Sequence, residues 1–188
     1  MTHISALTPP AVKNGNQIQT LSTVGGVCQA VTLASLARQH KGTTLVVTSD
    51  TPSALSLELE LSYLLSKTGI KVRLFPDRET LPYDSFSPHQ DLISQRLETL
   101  SQLSQIEQNI VIVPVTTLMM RLPPKAYLSA NVFMLKKGDS YKLHDVRQHL
   151  TDTGYHSVEQ VYEHGEFAIR GSIMDIFPTG MNMPLRIE

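Results

Sequence analysis

Several residue types and sequence features are rare or absent in this sequence, and each absence excludes a class of protein. It contains one cysteine, Cys28, and no tryptophan. A single cysteine excludes an internal disulfide and a cysteine-rich zinc site. The formal net charge is −1, so a general basic surface for nucleic acid is absent. No apolar run approaches the roughly 18 residues of a membrane-spanning helix, and the polar N-terminus lacks the layout of a signal peptide. These absences predict a cytoplasmic protein that makes no contact with a membrane.

The sequence contains enough hydrophobic residues to form folded domains. Hydrophobic residues make up 41% of the 188 residues, which is enough for a buried core and too many for a disordered chain. Residues 1–16 are predicted to be a flexible lead-in, marked by Pro9-Pro10. Strand and helix patterns alternate over residues 17–130, and repeated β–α units of this kind predict an α/β domain with a parallel, doubly wound sheet.

The pattern changes at residues 131–188, which are predicted to form a small α+β domain. A strand, NVFMLKKGD, and a helix, HDVRQHLTDTG, precede three strand patterns: YHSVEQVYE, EFAIR and SIMDIFP. The turns between these strands, EHGE and RG, are short, which predicts an antiparallel meander. The final PLRIE begins a further strand that no later element closes. This second domain is therefore expected to be incomplete at its C-terminus.

The glycine pair Gly25-Gly26 is the candidate nucleotide-binding turn, because it lies between a strand-like segment at 18–21 and a helix pattern. A P-loop reads G-x-x-x-x-G-K-[ST]; its amides hold phosphates and its lysine neutralises them. In the two possible registers, Gln29 or Val31 stands where the lysine would be. Only the helix N-terminus then remains to attract an anion. The residues alone therefore favour an ordinary strand-to-helix turn.

Serine, histidine and aspartate are crowded into LPYDSFSPHQD, which suggests a hydrolytic triad. However, a triad is assembled by the fold and not by local crowding, and the nucleophile motif G-x-S-x-G is absent. The segment is interpreted as a capping loop in which Ser87 or Asp91 begins the next helix. His144 and His149 are five positions apart and not the four that place two ligands on one helix face, so no metal site is predicted.

A second candidate site lies in HGEFAIRGSIMDIFPTG, where Phe167 and Ile169 alternate with Ala168 and Arg170. Arg170 falls at the end of a strand, with Asp175 across the turn. The pattern by itself leaves two interpretations open: an edge hairpin with a solvated arginine, or an arginine placed there for a function.

Longer blocks of the chain carry a resemblance to a known family. In chain order, these blocks are ETLPYDSFSPHQDLISQRLETLSQL, IVIVPVTTLMMR, GYHSVEQVYEHGEFAIRGSIMDIFP and PLRIE. With them, the sequence from about Gln17 onward closely resembles the N-terminal UvrB-like region of the bacterial transcription-repair coupling factor (Mfd) family. The RG-x-x-x-DIFP run is also shared in outline with the excision-repair protein UvrB.

The resemblance implies a helicase-like, P-loop-NTPase-like fold for residues 17–130, with the nucleotide motifs lost. The turn at Gly25 and Gly26, with Gln29 and Val31, would then be a degenerate P-loop. No catalytic residue, cofactor or metal is expected in this chain. ATP and Mg²⁺ are expected only in the motor domains of the parent protein, and RNA polymerase and DNA would be bound only by other parts of that protein.

The resemblance further implies that the second domain binds UvrA, because Arg170 and Arg186 resemble the arginines that contact UvrA in this family. The implied function is recruitment of UvrA to stalled transcription complexes in nucleotide excision repair. The alternative is a nucleotide-binding fragment of an ATP-dependent DNA helicase or translocase of the UvrB type. A structural interpretation of the arginines also stays open, in which Glu166, Asp175 or Glu188 engages them in local ion pairs.

Overall fold

A computed structural model describes Pro9, Thr20 and residues 25–80, 83–103, 108–130 and 138–188. The chain divides into two compact units. The first comprises residues 1–77 and 102–120, and the second comprises residues 78–101 and 121–188. The strand predicted at 18–21, nearly all of the lead-in and most of the strand NVFMLKKGD lie outside the described residues. The predicted domain boundary near residue 130 stays a prediction.

Helices and strands follow one another in an order close to the predicted one. In chain order they are α1 (Val27–Gln39), β1 (Thr43–Thr48), α2 (Thr51–Leu65), β2 (Lys71–Leu74), α3 (Gln90–Gln102), β3 (Asn109–Pro114), α4 (Val115–Leu118), α5 (Lys125–Ala130), α6 (Leu143–Asp152), β4 (His156–Ser157), β5 (Glu166–Arg170), β6 (Ile173–Ile176) and β7 (Leu185–Ile187).

The first unit is built on a three-stranded parallel sheet with the strand order β1-β3-β2. All six residues of β3 are buried, as expected for a continuously apolar strand in the middle of a parallel sheet. The core side chains come from α1, α2 and all three strands. Leu45 and Val47 on β1 are exposed. The predicted parallel sheet is thus confirmed, and its doubly wound arrangement stays a prediction.

Helix α2 shows how local sequence places an element of this core. Asp50 caps the helix by accepting a hydrogen bond from the backbone N–H of Ser53 at 2.8 Å, and Pro52 occupies the first turn, where its missing N–H costs nothing. The helix buries Leu57 and Leu61 at four-residue spacing. Leu59 lies on the other side and is 73% exposed, so only part of the leucine-rich pattern is core.

The second unit contains a four-stranded sheet with the order β4-β5-β6-β7. The strands β5 and β6 are antiparallel, as predicted, and β7 pairs with β6 in the same way. Gly171 provides the tight turn between β5 and β6, where its φ of 62° lies in the region that favours glycine. However, β4 has two residues and pairs with β5 in parallel. The prediction of an all-antiparallel meander was therefore wrong for YHSVEQVYE.

The parallel pairing of β4 has a local cause in the loop that follows it. The carboxylate of Glu166 accepts hydrogen bonds from the backbone N–H groups of Tyr162 at 2.7 Å and Glu163 at 2.9 Å. These bonds hold a turn immediately before β5, and the backbone N–H of Val158 donates to the carbonyl of Phe167 at 2.9 Å. The chain therefore follows a loop between β4 and β5 and enters β5 in the same direction instead of reversing in a hairpin.

One face of this second sheet packs against α6. The buried side chains are Val146, Leu150, Phe167, Met174 and Ile176. Helix α3, most of which belongs to the same unit, buries polar residues: the hydroxyl of Ser94 accepts a hydrogen bond from the backbone N–H of Gly180 at 2.7 Å. The apolar side chains of α3 are half-buried, whereas Ser94, Arg96 and Thr99 are buried.

Candidate functional site

The two candidate arginines lie on the same face of the second sheet. Alternate residues of a strand point to opposite faces, and Phe167 and Ile176 point into the core. In the register of the sheet, Asp175 lies opposite Arg186 on its neighbouring strand, and Arg170 is its diagonal neighbour on the other strand. Arg170, Asp175 and Arg186 therefore share the face turned away from the core, and the structure brings the two arginines together.

This face forms one wall of an open cavity of about 410 Å³. Its lining combines the three charged residues with apolar and amide residues. The lining residues are Gln160, Val161, Arg170, Asp175, Pro184, Leu185 and Arg186. We call this surface the arginine groove. It presents guanidinium groups next to apolar surface, which is the combination found where proteins bind one another.

Arg186 and Asp175 form a two-point ion pair inside the arginine groove. The Arg186 Nε donates to Asp175 Oδ1 at 2.7 Å, and Nη2 donates to Oδ2 at 2.9 Å. The Arg186 side chain remains 62% exposed, against 23% for Asp175. The hydrogen bonds from Arg186 are the main reason that the pKa of Asp175 is lowered, and the same bonds raise the pKa of Arg186. Of the acidic partners considered for local ion pairs, Asp175 is thus the one that engages Arg186.

Arg170, unlike Arg186, is held by a backbone carbonyl and not by a carboxylate. Its Nη2 donates a hydrogen bond to the backbone carbonyl of Glu159. Its charge also contributes to the lowered pKa of Asp175, after the larger effect of Arg186. The carboxylate of Glu166 accepts backbone N–H groups, which lower its own pKa. Arg170 is therefore anchored by a neutral carbonyl, and it is an exposed residue of the groove.

The glycine turn considered as a degenerate P-loop lies at the start of α1 in the first unit. Gly26 is the N-cap residue, with a φ of 56°. Apart from chain neighbours, no heavy atom of the described residues lies within 4 Å of the Cβ position of either Gly25 or Gly26. Gln29 and Val31 lie within α1, whose only basic residue is Arg38 in its last turn. Within the described residues, the turn thus leaves room for an anion, and the helix that it begins has no cation before Arg38.

A contact that the sequence analysis missed joins the start of α3 to the C-terminal residues of the second unit. His164 Nδ1 lies 2.8 Å from Asp91 Oδ1, and its Nε2 lies 2.7 Å from the carbonyl oxygen of Met181. The imidazole also contacts the ring of Phe177, with centroids 4.0 Å apart. His164 and Asp91 are 73 positions apart, so no local pattern could have indicated the pair.

Within the described residues, no group of three or more histidine, cysteine, aspartate or glutamate side chains is arranged to hold a metal ion. No helix in that part of the chain is long and apolar enough to cross a membrane.

Comparison with known proteins bears on the second unit and on the chain as a whole. Residues 133–188 match the family described as the UvrB interaction domain. Over 179 residues, 95% of this chain, the sequence is 44% identical to the transcription-repair-coupling factor of Haemophilus influenzae. Nearly the whole chain is thus similar to part of a transcription-repair-coupling factor. The resemblance drawn from the sequence is confirmed.

Two further relatives carry the same name. The transcription-repair-coupling factor of Escherichia coli is 42% identical over 177 residues, or 94% of this chain. That of Bacillus subtilis is 28% identical over 174 residues, or 93% of this chain. The chain spans about 15% of the length of each of these three relatives. The activity of the whole coupling factor therefore enters only as part of the proposal that follows.

Proposed function

We propose that this chain is a non-catalytic recruitment module that binds UvrA through the arginine groove. The observation that supports the proposal is the arrangement of Arg170 and Arg186 on one solvent-facing side of the second sheet, within the residues that match the UvrB interaction domain. The name of that family is consistent with a partner from the excision-repair system, and UvrA is the partner that the sequence resemblance implies.

The chemistry of the groove supports a protein partner. Arginine presents a rigid fork of donors that matches a carboxylate with two bonds, and its guanidinium is less strongly hydrated than the ammonium of lysine. Val161 and Pro184 are apolar residues that line the groove together with the two arginines. Arginines next to apolar surface are frequent among the residues that dominate binding energy at interfaces. We therefore expect a carboxylate-bearing surface of UvrA to bind here.

The names of the relatives support a proposal for the cellular role. In a coupling factor, a UvrA-binding module would bring the excision-repair system to stalled transcription complexes. RNA polymerase and DNA would be bound by other parts of the parent protein, and ATP-driven translocation would also belong to those parts. The first unit would be a helicase-like fold that has lost its nucleotide site, and the cytoplasm is the expected location.

The proposal is tested by the affinity of UvrA for the wild-type chain and for Arg170→Ala, measured by calorimetry. Loss of an interface arginine of this type is expected to cost about 2 kcal/mol or more of binding free energy, with the melting temperature almost unchanged. Arg147→Ala is the matched control, because Arg147 is an exposed arginine on α6 in the same unit. Wild-type UvrA affinity in the variant lacking both Arg170 and Arg186 would refute the proposal.

The alternative function, nucleotide binding, has one observation in its favour: the open space at Gly25 and Gly26 beside the N-terminus of α1. A triphosphate carries several negative charges, and α1 has no cation before Arg38 to meet them. We therefore expect calorimetry with Mg-ATP to show no heat of binding. A micromolar dissociation constant would favour the alternative over the recruitment module.

A further inference from the structure

Asp175 is an acidic residue in the middle of a face that we propose to bind an acidic partner. It lies on β6 between the strands that carry Arg170 and Arg186. Its side chain is 23% exposed, so it is more enclosed than the Arg186 side chain that it binds. From charge alone, a carboxylate at this position would weaken the attraction between the groove and any carboxylate of the partner.

The geometry of the pair indicates a different role. Arginine has five N–H donors in a planar fork. Asp175 engages Nε and Nη2 of Arg186, with both carboxylate oxygens accepting. This side-on arrangement fixes the plane of the guanidinium and leaves the Nη1 donors and one Nη2 donor unused by the pair. An arginine with nothing to hold it would sample many rotamers, and ordering it on binding would reduce the affinity.

We propose that Asp175 is a positioning residue of the arginine groove: it holds the Arg186 guanidinium side-on, so that the remaining donors form a preset site for a carboxylate of the partner. This inference rests on the proposed function, because it assumes that Arg186 contacts UvrA. It adds that the ion pair is kept in the complex and that binding requires it.

An electrostatic role and a positioning role of Asp175 predict opposite changes in partner affinity when its carboxylate is removed. Removal of the Asp175 carboxylate makes the groove more positive, so a purely electrostatic role predicts tighter binding of an acidic partner and faster association. Positioning predicts weaker binding, because Arg186 loses its fixed orientation. Glu159→Gln is the matched control: it removes one negative charge from the exposed residue to whose backbone carbonyl Arg170 donates, and it leaves that carbonyl in place.

The experiment is a double-mutant cycle on the 188-residue chain, with UvrA affinity measured by calorimetry and folding checked by thermal melting. The variants are Asp175→Ala, Arg186→Ala and the two combined. We expect Asp175→Ala to weaken binding about tenfold, within the range that coupled neighbouring residues span. In the Arg186→Ala background, Asp175→Ala should have almost no further effect, because its action requires Arg186. Glu159→Gln should bind UvrA as tightly as wild type or slightly tighter.

The outcomes separate the inference from the proposed function. Unchanged or tighter binding by Asp175→Ala, together with a loss of affinity in Arg186→Ala, overturns the positioning role and leaves the UvrA site intact. Equal losses from Asp175→Ala with and without Arg186 also overturn it, since a general structural role would produce that result. Wild-type affinity in the variant lacking both Arg170 and Arg186 rejects the proposed UvrA site, and the positioning role with it.

Discussion

The two faces of the second sheet predict that folding stability and partner affinity can be changed separately. Phe167 and Ile176 point into the core, whereas Arg170 lies on the opposite face of the same two-stranded hairpin. Substitutions on the core face should lower the free energy of unfolding without altering the chemistry of the groove. Substitutions on the groove face should lower the affinity for the partner and leave the free energy of unfolding almost unchanged.

The expected loss of stability for each core substitution follows from how deeply the side chain is buried. Phe167 is fully buried, and truncation of a buried phenylalanine to alanine costs about 3–5 kcal/mol. A loss of that size approaches the total stability of roughly 5–15 kcal/mol of an average domain, so Phe167→Ala should unfold much of the second unit. Ile176 is 5% exposed, and Ile176→Val should cost only about 0.5–1.5 kcal/mol. That corresponds to a fall in melting temperature of about 4–8 °C per kcal/mol for a small domain.

The decisive measurement compares thermal melting and UvrA affinity for three variants. Ile176→Val should melt several degrees below wild type and bind UvrA with wild-type affinity at a temperature where it is folded. Arg170→Ala should melt at nearly the wild-type temperature and bind UvrA more weakly than wild type. Tyr162→Ala is the surface control, because the side chain is 70% exposed and most such changes stay within about 0.5 kcal/mol of wild type.

Either of two results would refute this reasoning. If Ile176→Val lost UvrA affinity in proportion to its loss of stability, binding would report only the folded fraction and the groove would have no separate role. If Arg170→Ala lowered the melting temperature as much as Ile176→Val, the hydrogen bond from Arg170 to the Glu159 carbonyl would be a structural contact and not a support for a binding residue.

Three further outcomes are expected. Desolvation raises the pKa of Glu58, although the hydrogen bond from the Leu74 N–H lowers it. The contribution of the Glu58 carboxyl group to stability is therefore fully present below about pH 4 and is lost as the pH rises through the raised pKa. Glu58→Gln should accordingly gain stability relative to wild type between pH 4 and pH 7 in melting experiments, and a constant difference across that range would contradict this. His164→Ala should lower the melting temperature more than His89→Ala, because His164 is only 15% exposed and contacts Asp91 closely whereas His89 is 73% exposed; equal effects would show that the His164 contact contributes little. Duplex DNA should bind weakly at 150 mM salt in a gel-shift assay, since the net charge is −1, and tight binding there would contradict the assignment of DNA contacts to other parts of the parent protein.

The sequence by itself determined the elements that depend on neighbouring residues. The continuously apolar run of β3 is typical of a buried parallel strand, and Asp50 with Pro52 is typical of the start of a helix. The alternation around Arg170 gave the hairpin formed by β5 and β6. These features are local because side-chain periodicity and capping are set within a few residues. The family resemblance was likewise present in the sequence, and it pointed to Arg170 and Arg186 before any geometry was known.

The tertiary structure decided which distant groups meet. It paired β4 with β5 in parallel and placed His164 beside Asp91. It also selected Asp175, from several acidic residues near in sequence, as the partner of Arg186. A sequence pattern specifies which face of a strand a residue occupies, but not which strand lies beside it. The cross-strand neighbour is fixed only when the whole sheet settles into the register that buries its apolar face.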